Sequence, residues 1–317
     1  MKIFYDIKEI KGKIKNPVVT IGNFDGVHKG HQHIFKIIKE KARKINGETV
    51  VMTFDPHPVK VLSGENKIFL LTPTKKKLKL IEKFGIDNVL LIKFTKEFAN
   101  LEPEEFIKIL TEYVGVRELY VGFNYFFGKN KKGNVDLLRE YGKIYNFNVH
   151  ILEPFIVDGI TVSSTLCREY IAEGKVKEVL KFLGRYYLIE GKVVEGKHRG
   201  HKIGIPTANI KSEQEVYPKE GVYAVKVAYR DKIYDGACSI GFNPTFDSDR
   251  LTVEVHIFNF NKNIYNEDLK VVFIDRIRPM IKFKSIEELK ATILEDIEKA
   301  KKILKPIKIS LKNPDFV

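Results

Sequence analysis

The chain has 317 residues, 44% of them hydrophobic and 30% charged, and a formal net charge of +14 at pH 7. No apolar run is long enough to span a membrane, residues 1–15 lack a signal-peptide core, and Cys167 and Cys238 form no CxxC pair and do not suggest a disulfide scaffold; a cytoplasmic protein is the simplest reading, and the length leads us to expect two domains. The lysine surplus suits anionic partners such as nucleotides, RNA or acidic lipid, although a lysine- and glutamate-rich surface of the kind heat-adapted proteins carry is the simpler explanation.

Residues 18–21 (VVTI) read as a buried strand. Ile34, Phe35, Ile37, Ile38, Ala42 and Ile45 share one face of a helix over 31–45, which Asn46-Gly47 stops. TVVMTF (49–54) reads as the next strand. Further strands fit 88–94, 118–123 and 147–152, with helices over 74–84, 102–113 and 134–145 between them. Strand-helix alternation predicts a parallel, Rossmann-like sheet with helices on both faces. Two short helices, about 165–173 and 175–183, finish this half.

From 187 to 277 the rhythm changes to short β-like runs, YYLIEGKVV, GVYAVKVAY, KIYDGACSI, LTVEVHIF and LKVVFI, separated by Gly, Asn, Asp and Pro. This is the pattern of an antiparallel β-barrel. An amphipathic helix follows, with Ile286, Leu289, Ile293, Ile297 and Leu304 on one stripe. The change of rhythm puts a boundary near Gly184, giving domains over 1–184 and 185–305 and a loose tail over 306–317.

Two tetrads of one form stand out, His28-Lys29-Gly30-His31 and His198-Arg199-Gly200-His201. The first lies where a strand hands over to a helix. Ligands of open parallel sheets bind beyond the carboxyl ends of strands, and a helix N-terminus there offers N–H groups and a positive dipole end to phosphate. Gly22, Gly26 and Gly30 allow the backbone to approach closely. The three-residue spacing puts both imidazoles on one side of the first turn, where they can donate to phosphoryl oxygens as charge builds during displacement. A histidine pair alone is more often a surface feature or a metal ligand. The order of strand, glycine loop, tetrad and amphipathic helix favours nucleotidyl transfer.

This stretch resembles the HxGH nucleotidyltransferases, in which a nucleophile attacks the α-phosphate of a nucleoside triphosphate and pyrophosphate leaves. GNFDGVHKGHQ is similar in particular to the bacterial bifunctional riboflavin kinase/FAD synthetases (FMN adenylyltransferases). The resemblance implies catalytic roles for His28 and His31, and substrate or nucleotide contacts for Gly22, Phe24, Asp25 and Gly26. TFDPHP (53–58) resembles that family's second flavin- and nucleotide-side segment and implies Phe54 and His57; strand packing and a rigid loop between prolines are the plainer explanations. KFTKEFANLEPEEFI (93–107) resembles its mid-domain signature. VGFNYFFG (121–128) resembles its asparagine-bearing loop and implies Asn124 at the mouth of the site, where a turn residue would also serve. VSSTLCREYI (162–171) is similar to its Ser-Ser-Thr…Arg motif, which implies Ser163, Ser164 and Arg168 near the triphosphate; the serines also suit a helix N-cap. Leu166 and Cys167 stand where the family often has a basic residue and isoleucine.

GKVVEGKH (191–198) nearly spells a P-loop, but His198 lacks the hydroxyl the motif needs, and Gly200, Gly204 and Pro206 follow where a helix should begin. The same β surroundings remove HRGH as a transferase tetrad, so the two tetrads are unrelated. GKVVEGKHRGHKIGIPTANI instead resembles the riboflavin kinase signature, a glycine-rich loop (Gly196, Gly204) running into Pro-Thr-Ala-Asn, with His201 where a basic residue is usual. Thr207 and Asn209 alternate on an extended segment, so their oxygens point the same way. The resemblance implies that they hold magnesium with nucleotide phosphate, which suits an ion that takes oxygen ligands and keeps waters; a strand end rich in Thr and Asn is the plainer explanation. By alternation Glu254 shares a face with Thr252 and His256, opposite Val253, Val255 and Ile257. It resembles the family's catalytic base, which takes the proton of the ribityl 5′-hydroxyl as that oxygen attacks the γ-phosphate of ATP; a solvated strand residue is the plainer fate. GFNPTF (241–246), with Asn243, resembles the family's mobile substrate loop, and RIRPMIKF (276–283) the segment where Arg278 borders the flavin.

The resemblance implies ATP- and magnesium-dependent phosphorylation of riboflavin to FMN, then transfer of AMP from ATP to FMN to give FAD, with no membrane partner and none expected among nucleic acids. Two other readings compete. One is a different adenylyltransferase with an accessory barrel. The other is an RNA-binding protein whose barrel aromatics (Tyr223, Phe242, Phe246, Phe258, Phe260) stack bases.

Overall fold

The structure is a computed structural model and describes residues 1–63, 68–196, 204–243 and 250–311. Contacts divide the chain into two units, Met1–Ser163 and Ser164–Val317.

The first unit is a six-stranded parallel sheet in the order β1-β4-β3-β2-β5-β6, formed by β1 (Lys2–Phe4), β2 (Val18–Ile21), β3 (Thr49–Asp55), β4 (Asn88–Lys93), β5 (Glu118–Gly122) and β6 (Asn148–Leu152). Every residue of β2 is buried, as is β3 up to its last residue, the near-continuous apolar run that a sheet covered on both faces requires. Val19 pairs with Val50 on one side and Leu119 on the other. From β2 the chain runs outward through β3 and β4, then returns to β5 on β2's other flank. The carboxyl ends of β2 and β5 therefore mark a topological switch point, where crossovers leave for opposite faces and a crevice opens.

Helix α1 (Lys29–Lys44) turns Phe35, Ile38 and Ala42 into the core, each large apolar side chain contributing about 1.5–3 kcal/mol by burial. It ends as expected, with Asn46 in the left-handed region at φ 52 and the Gly47 N–H donating to the Ala42 carbonyl. Helices α2 (Pro58–Ser63), α3 (Thr74–Lys83), α4 (Lys96–Ala99), α5 (Pro103–Lys108) and α6 (Val135–Tyr145) follow. The helix expected over 102–113 passes at Ile109 into a π-helical turn over Ile109–Val114, closed by Gly115 at φ 67. The unit ends in the hairpin of β7 (Ile156–Val157) and β8 (Ile160–Thr161).

In the second unit α7 (Ser164–Ala172) and α8 (Leu180–Leu183) precede a closed antiparallel barrel of order β10-β13-β12-β11-β14-β9. Its strands are β9 (Tyr187–Val194), β10 (Ala208–Lys211), β11 (Gly221–Tyr229), β12 (Lys232–Asn243), β13 (Arg250–Ile257) and β14 (Asp268–Arg278). The two short helices, which the change of rhythm assigns to the first half, make their contacts here. The Lys219 N–H donates to the Ile171 carbonyl, and Gly174 lies against Tyr223 and Arg276. Helix α9 (Ile286–Leu304) covers the barrel with Ile297, Ala300 and Leu304 over Leu188, Ala224 and Val272. Ile286, the first residue of the expected stripe, is exposed, because the packed part of the helix begins at Ile293. Where the sequence reads as a loose tail, Ile307 and Ile309 pack against this same cluster, since two apolar side chains after Pro306 continue the face that α9 presents. Residues 312–317 lie outside the described ones.

Candidate active sites

The loop after β2 is a run of tight conformations. Phe24 is left-handed at φ 51, Gly26 has φ 80, and His28 caps α1 at φ −70, ψ 171. This geometry swings His28 and His31 onto each other, with ring centroids 3.6 Å apart and planes inclined by 21°. Phe24, 2% exposed, meets His31 edge-on at 5.1 Å and Phe35 at 5.2 Å. The ring of His28 lies close over Gly30, where a Cβ would stand 3.1 Å from its Cε1 and Nδ1. Likewise Gly22 lies under the Phe24 ring, 3.1 Å from where a Cβ would be.

At the switch point is a cavity of about 1010 Å³. Gly22, Phe24, His31, Phe54 and Asn124 line it, so the β2 loop, the end of β3 and the loop after β5 come to one place, the grouping that the family resemblance implies. Its apolar wall is aromatic, with Phe54 contacting Phe94 at 5.5 Å and Phe98 at 6.0 Å, a surface suited to a flat aromatic ligand with a few polar groups to orient it. His28, 6% exposed, is not part of the lining and sits against His31 instead. Asp25 also stays out of it. Its buried carboxylate accepts from the backbone N–H groups of Leu71 and Thr72, each at 3.1 Å, and so ties the β2 loop to the segment before α3. His57 is buried, with its Nδ1 accepting from the Val59 N–H at 3.2 Å at the start of α2, while Pro58, Val59 and Leu62 of that helix form a wall of the cavity. Gly26 serves the turn.

In the barrel, Val253, Val255 and Ile257 are buried and Thr252, Glu254 and His256 are half-buried, as alternation predicts. Glu254 is in register with Asn209 of β10 and with Ser239 of β12, so a carboxylate, an amide and a hydroxyl form a row across three strands. Gly196 makes room for that row, since a Cβ there would overlap the Asn209 amide. His256 Nδ1 donates to the Pro206 carbonyl at 2.8 Å and fixes the chain entering β10. A second cavity, about 340 Å³, is lined by Pro206, Thr207 and Ala208 together with Phe260, Lys262 and Tyr265 of the β13–β14 connection. Glu254 and Asn209 are not part of its lining. Gly204 has φ 79 and is exposed. Burial, and then the charge of Glu254, push the Cys238 thiol up, so this cysteine is no nucleophile at neutral pH.

Arg278 is engaged elsewhere: its guanidinium pairs with buried Asp296 of α9, Nε to Oδ2 at 2.9 Å and Nη2 to Oδ2 at 2.8 Å, and it lies over the Phe283 ring. Ser163 ends the first unit; Ser164 opens α7, on which Arg168 lies half-buried with Nη1 3.4 Å from Thr165 Oγ1. His198, His201, Phe246 and the side chains of Phe242 and Asn243 lie outside the described residues. Of the aromatics that could stack bases, Tyr223 and Phe258 are buried in the barrel, which removes them as a base platform. The sequence reading did not single out Lys77, a lysine that is 6% exposed, or the Asn261–Tyr265 turn at the second cavity. Lys77 stands three and four residues before the core-facing Leu80 and Ile81, a position at which a charge is a signal.

Residues 10–166 match the family model described as FAD synthetase, and residues 183–304 the one described as riboflavin kinase. A bifunctional riboflavin kinase/FMN adenylyltransferase of Buchnera aphidicola subsp. Schizaphis graminum is 38% identical over 307 residues, 95% of this chain and 98% of that protein. The protein of the same description from Escherichia coli K12 is 36% identical over 281 residues, 88% of this chain and 90% of its own. A crystal structure called macrolide-efflux protein, from Streptococcus pneumoniae, superposes with a TM-score of 0.87 at 34% identity and covers 94% of this chain and 98% of that one. In this chain no helix among the described residues is long and apolar enough to cross a membrane.

Proposed function

The chain belongs to the bifunctional riboflavin kinase/FMN adenylyltransferases, and on that premise we propose how its residues divide the two reactions of flavin cofactor synthesis. The parallel-sheet domain adenylylates FMN. A phosphate oxygen of FMN attacks the α-phosphorus of ATP, a new P–O bond forms, the bond to the β-phosphate breaks, and pyrophosphate leaves with FAD as product. His31, held from behind by His28, donates to the α-phosphoryl oxygens as negative charge gathers on them, and the first turn of α1 adds its N–H groups and dipole. The aromatic wall of Phe54, Phe94 and Phe98 takes the flavin ring system, and Asn124 orients a polar edge at the mouth. Ser163, Ser164 and Arg168 are assigned to phosphate binding by the family resemblance alone. The observation that carries this reading is the stacked His28–His31 pair at a helix start, with His31 facing an aromatic cavity at the sheet's switch point.

The barrel domain phosphorylates riboflavin. Glu254 accepts the proton of the ribityl 5′-hydroxyl as its oxygen attacks the γ-phosphorus of ATP and ADP leaves. Thr207 and Asn209 present hydroxyl and amide oxygens, and Asn209 is the register partner of Glu254; this hard-oxygen set fits magnesium. Bound there, the ion would offset charge on the transferring phosphates. Gly196 and Gly204 are assigned to phosphate binding, and Asn243, the last residue of β12, to substrate binding, by the family resemblance alone. Arg278 serves the flavin through its placement of α9 against the barrel rather than as a free cation. The setting is cytoplasmic, with ATP, riboflavin and FMN as the small-molecule partners.

The test is incubation of the purified full chain with riboflavin, ATP and magnesium, followed by separation of the flavins. FMN should appear first and FAD after it, and chelation of magnesium should stop FMN formation. Absence of both FMN and FAD would reject the assignment.

A further inference from the structure

Lys77 sits in α3 with its side chain directed into the sheet, 6% exposed, outside the lining of the cavity. A lysine ammonium has three donors and no acceptor, and here each proton has an oxygen: the Asn23 carbonyl at 3.2 Å, Thr53 Oγ1 at 3.1 Å and the Phe54 carbonyl at 3.2 Å. The Thr53 hydroxyl in turn donates to the Asn23 carbonyl at 3.2 Å. One cation thus joins the loop leaving β2 to the end of β3. Asn23 immediately precedes Phe24, whose left-handed backbone carries the ring that abuts His31. Asn23 and Phe54 both line the cavity. A buried charge is costly to fold, and an apolar side chain of the same length would fill this position at less cost. What the lysine adds is a fixed distance between two loops.

Resting on the assignment of this site to FMN adenylylation, we propose that Lys77 is a positioning residue for that reaction: its ammonium clamps the Gly22–His31 loop against the end of β3 and so holds His31 in place relative to the aromatic wall. It touches neither substrate. The charged groups that face it are Asp25 from the turn after β2 and Asp55 from the end of β3; both favour the ammonium, but burial outweighs them and pushes it down to about 8. Above that value the neutral amine has two N–H groups for three oxygens, so the clamp loosens on the alkaline side.

The experiment uses the full chain, with riboflavin phosphorylation measured on each preparation as an internal control. Lys77→Met should lower kcat for FMN adenylylation by about tenfold or more, with smaller changes in KM and with riboflavin phosphorylation within about twofold of the parent. Thr53→Val, which removes only the bridging hydroxyl, should lower it by about threefold. In the parent chain FMN adenylylation should decline as the pH rises through about 8, and in Lys77→Met that decline should be absent. Parental adenylylation rates in both variants, with the same alkaline decline, would overturn the proposal. If Lys77→Met does not fold, an unchanged rate in Thr53→Val together with a level parental profile between about pH 7 and 9.5 would overturn it as well. A parent chain that makes no FAD at all would instead overturn the assignment of the site.

Discussion

Gly30→Ala is a one-atom test of the histidine pair. The added Cβ would stand 3.1 Å from Cε1 and Nδ1 of His28 and 3.4 Å from the Cβ of Phe155. His28 must yield by a few tenths of an ångström, yet its ring is already at stacking distance, 3.6 Å, from His31. Movement therefore passes to the ring that lines the cavity. Alanine is the better helix former by about 0.5–1 kcal/mol, which offsets much of the steric cost, so the unfolding free energy should change by less than about 1 kcal/mol. The rate should respond more strongly, because about an ångström of misplacement at a reacting centre costs up to a hundredfold, so that even part of an ångström is felt. A loss of about tenfold or more in kcat for FAD formation from FMN and ATP is expected, equivalent to about 1.4 kcal/mol or more of transition-state stabilisation. The assay is initial-rate FAD formation, with riboflavin phosphorylation and denaturant unfolding on the same preparation. An undiminished rate of FAD formation would show that the spacing of the two imidazoles is not what the chemistry uses.

Three other perturbations read the framework. Asp296→Ala takes the carboxylate away from the partly buried Arg278 guanidinium and should destabilise the barrel unit by about 1–3 kcal/mol in denaturant unfolding; a change under about 0.5 kcal/mol would mean the pair is not structural. Glu118 is buried at the start of β5; burial disfavours its charge, but bonds from His150 at 2.6 Å and Lys41 and Asn148 at 3.0 Å outweigh that and hold its carboxyl below the usual range. A depressed folded value stabilises above pH 4.5 and is lost as the pH falls through it, so acid unfolding of the parent should be steeper than that of Glu118→Gln, and equal slopes would contradict this. Arg168→Ala should raise the KM for ATP in FAD formation, and an unaltered KM would remove Arg168 from phosphate binding.

The sheet and barrel were legible because β2 and β3 are apolar throughout and the barrel strands alternate, so burial follows from pattern. The same alternation placed Glu254 opposite Val253 and Val255. The strand-to-helix handover at His28 predicted a histidine pair at the entry of a helix beyond the carboxyl end of a strand, and the strand order makes that end a switch point. What escaped is set by distant partners. β1 has three residues, too few for any period, and exists because Ile3 pairs with Val89. The motif implied a ligand role for Asp25, but its carboxylate is committed to two backbone N–H groups 46 and 47 residues away. Arg278 reads as a flavin neighbour until Asp296, 18 residues on, takes its guanidinium. Within KKK (75–77), Lys76 and Lys77 are both buried, and nothing in the run itself shows that the Lys77 ammonium meets the Asn23, Thr53 and Phe54 oxygens.

The most direct measurement is a crossed product analysis with two variants of the full chain. His31→Ala, given riboflavin, ATP and magnesium, should accumulate FMN and make no FAD, whereas Glu254→Gln should make no FMN from riboflavin yet convert supplied FMN to FAD at the parental rate. Loss of both products in either variant, or an undisturbed FAD yield from His31→Ala, would contradict two separate sites with these residues at their centres.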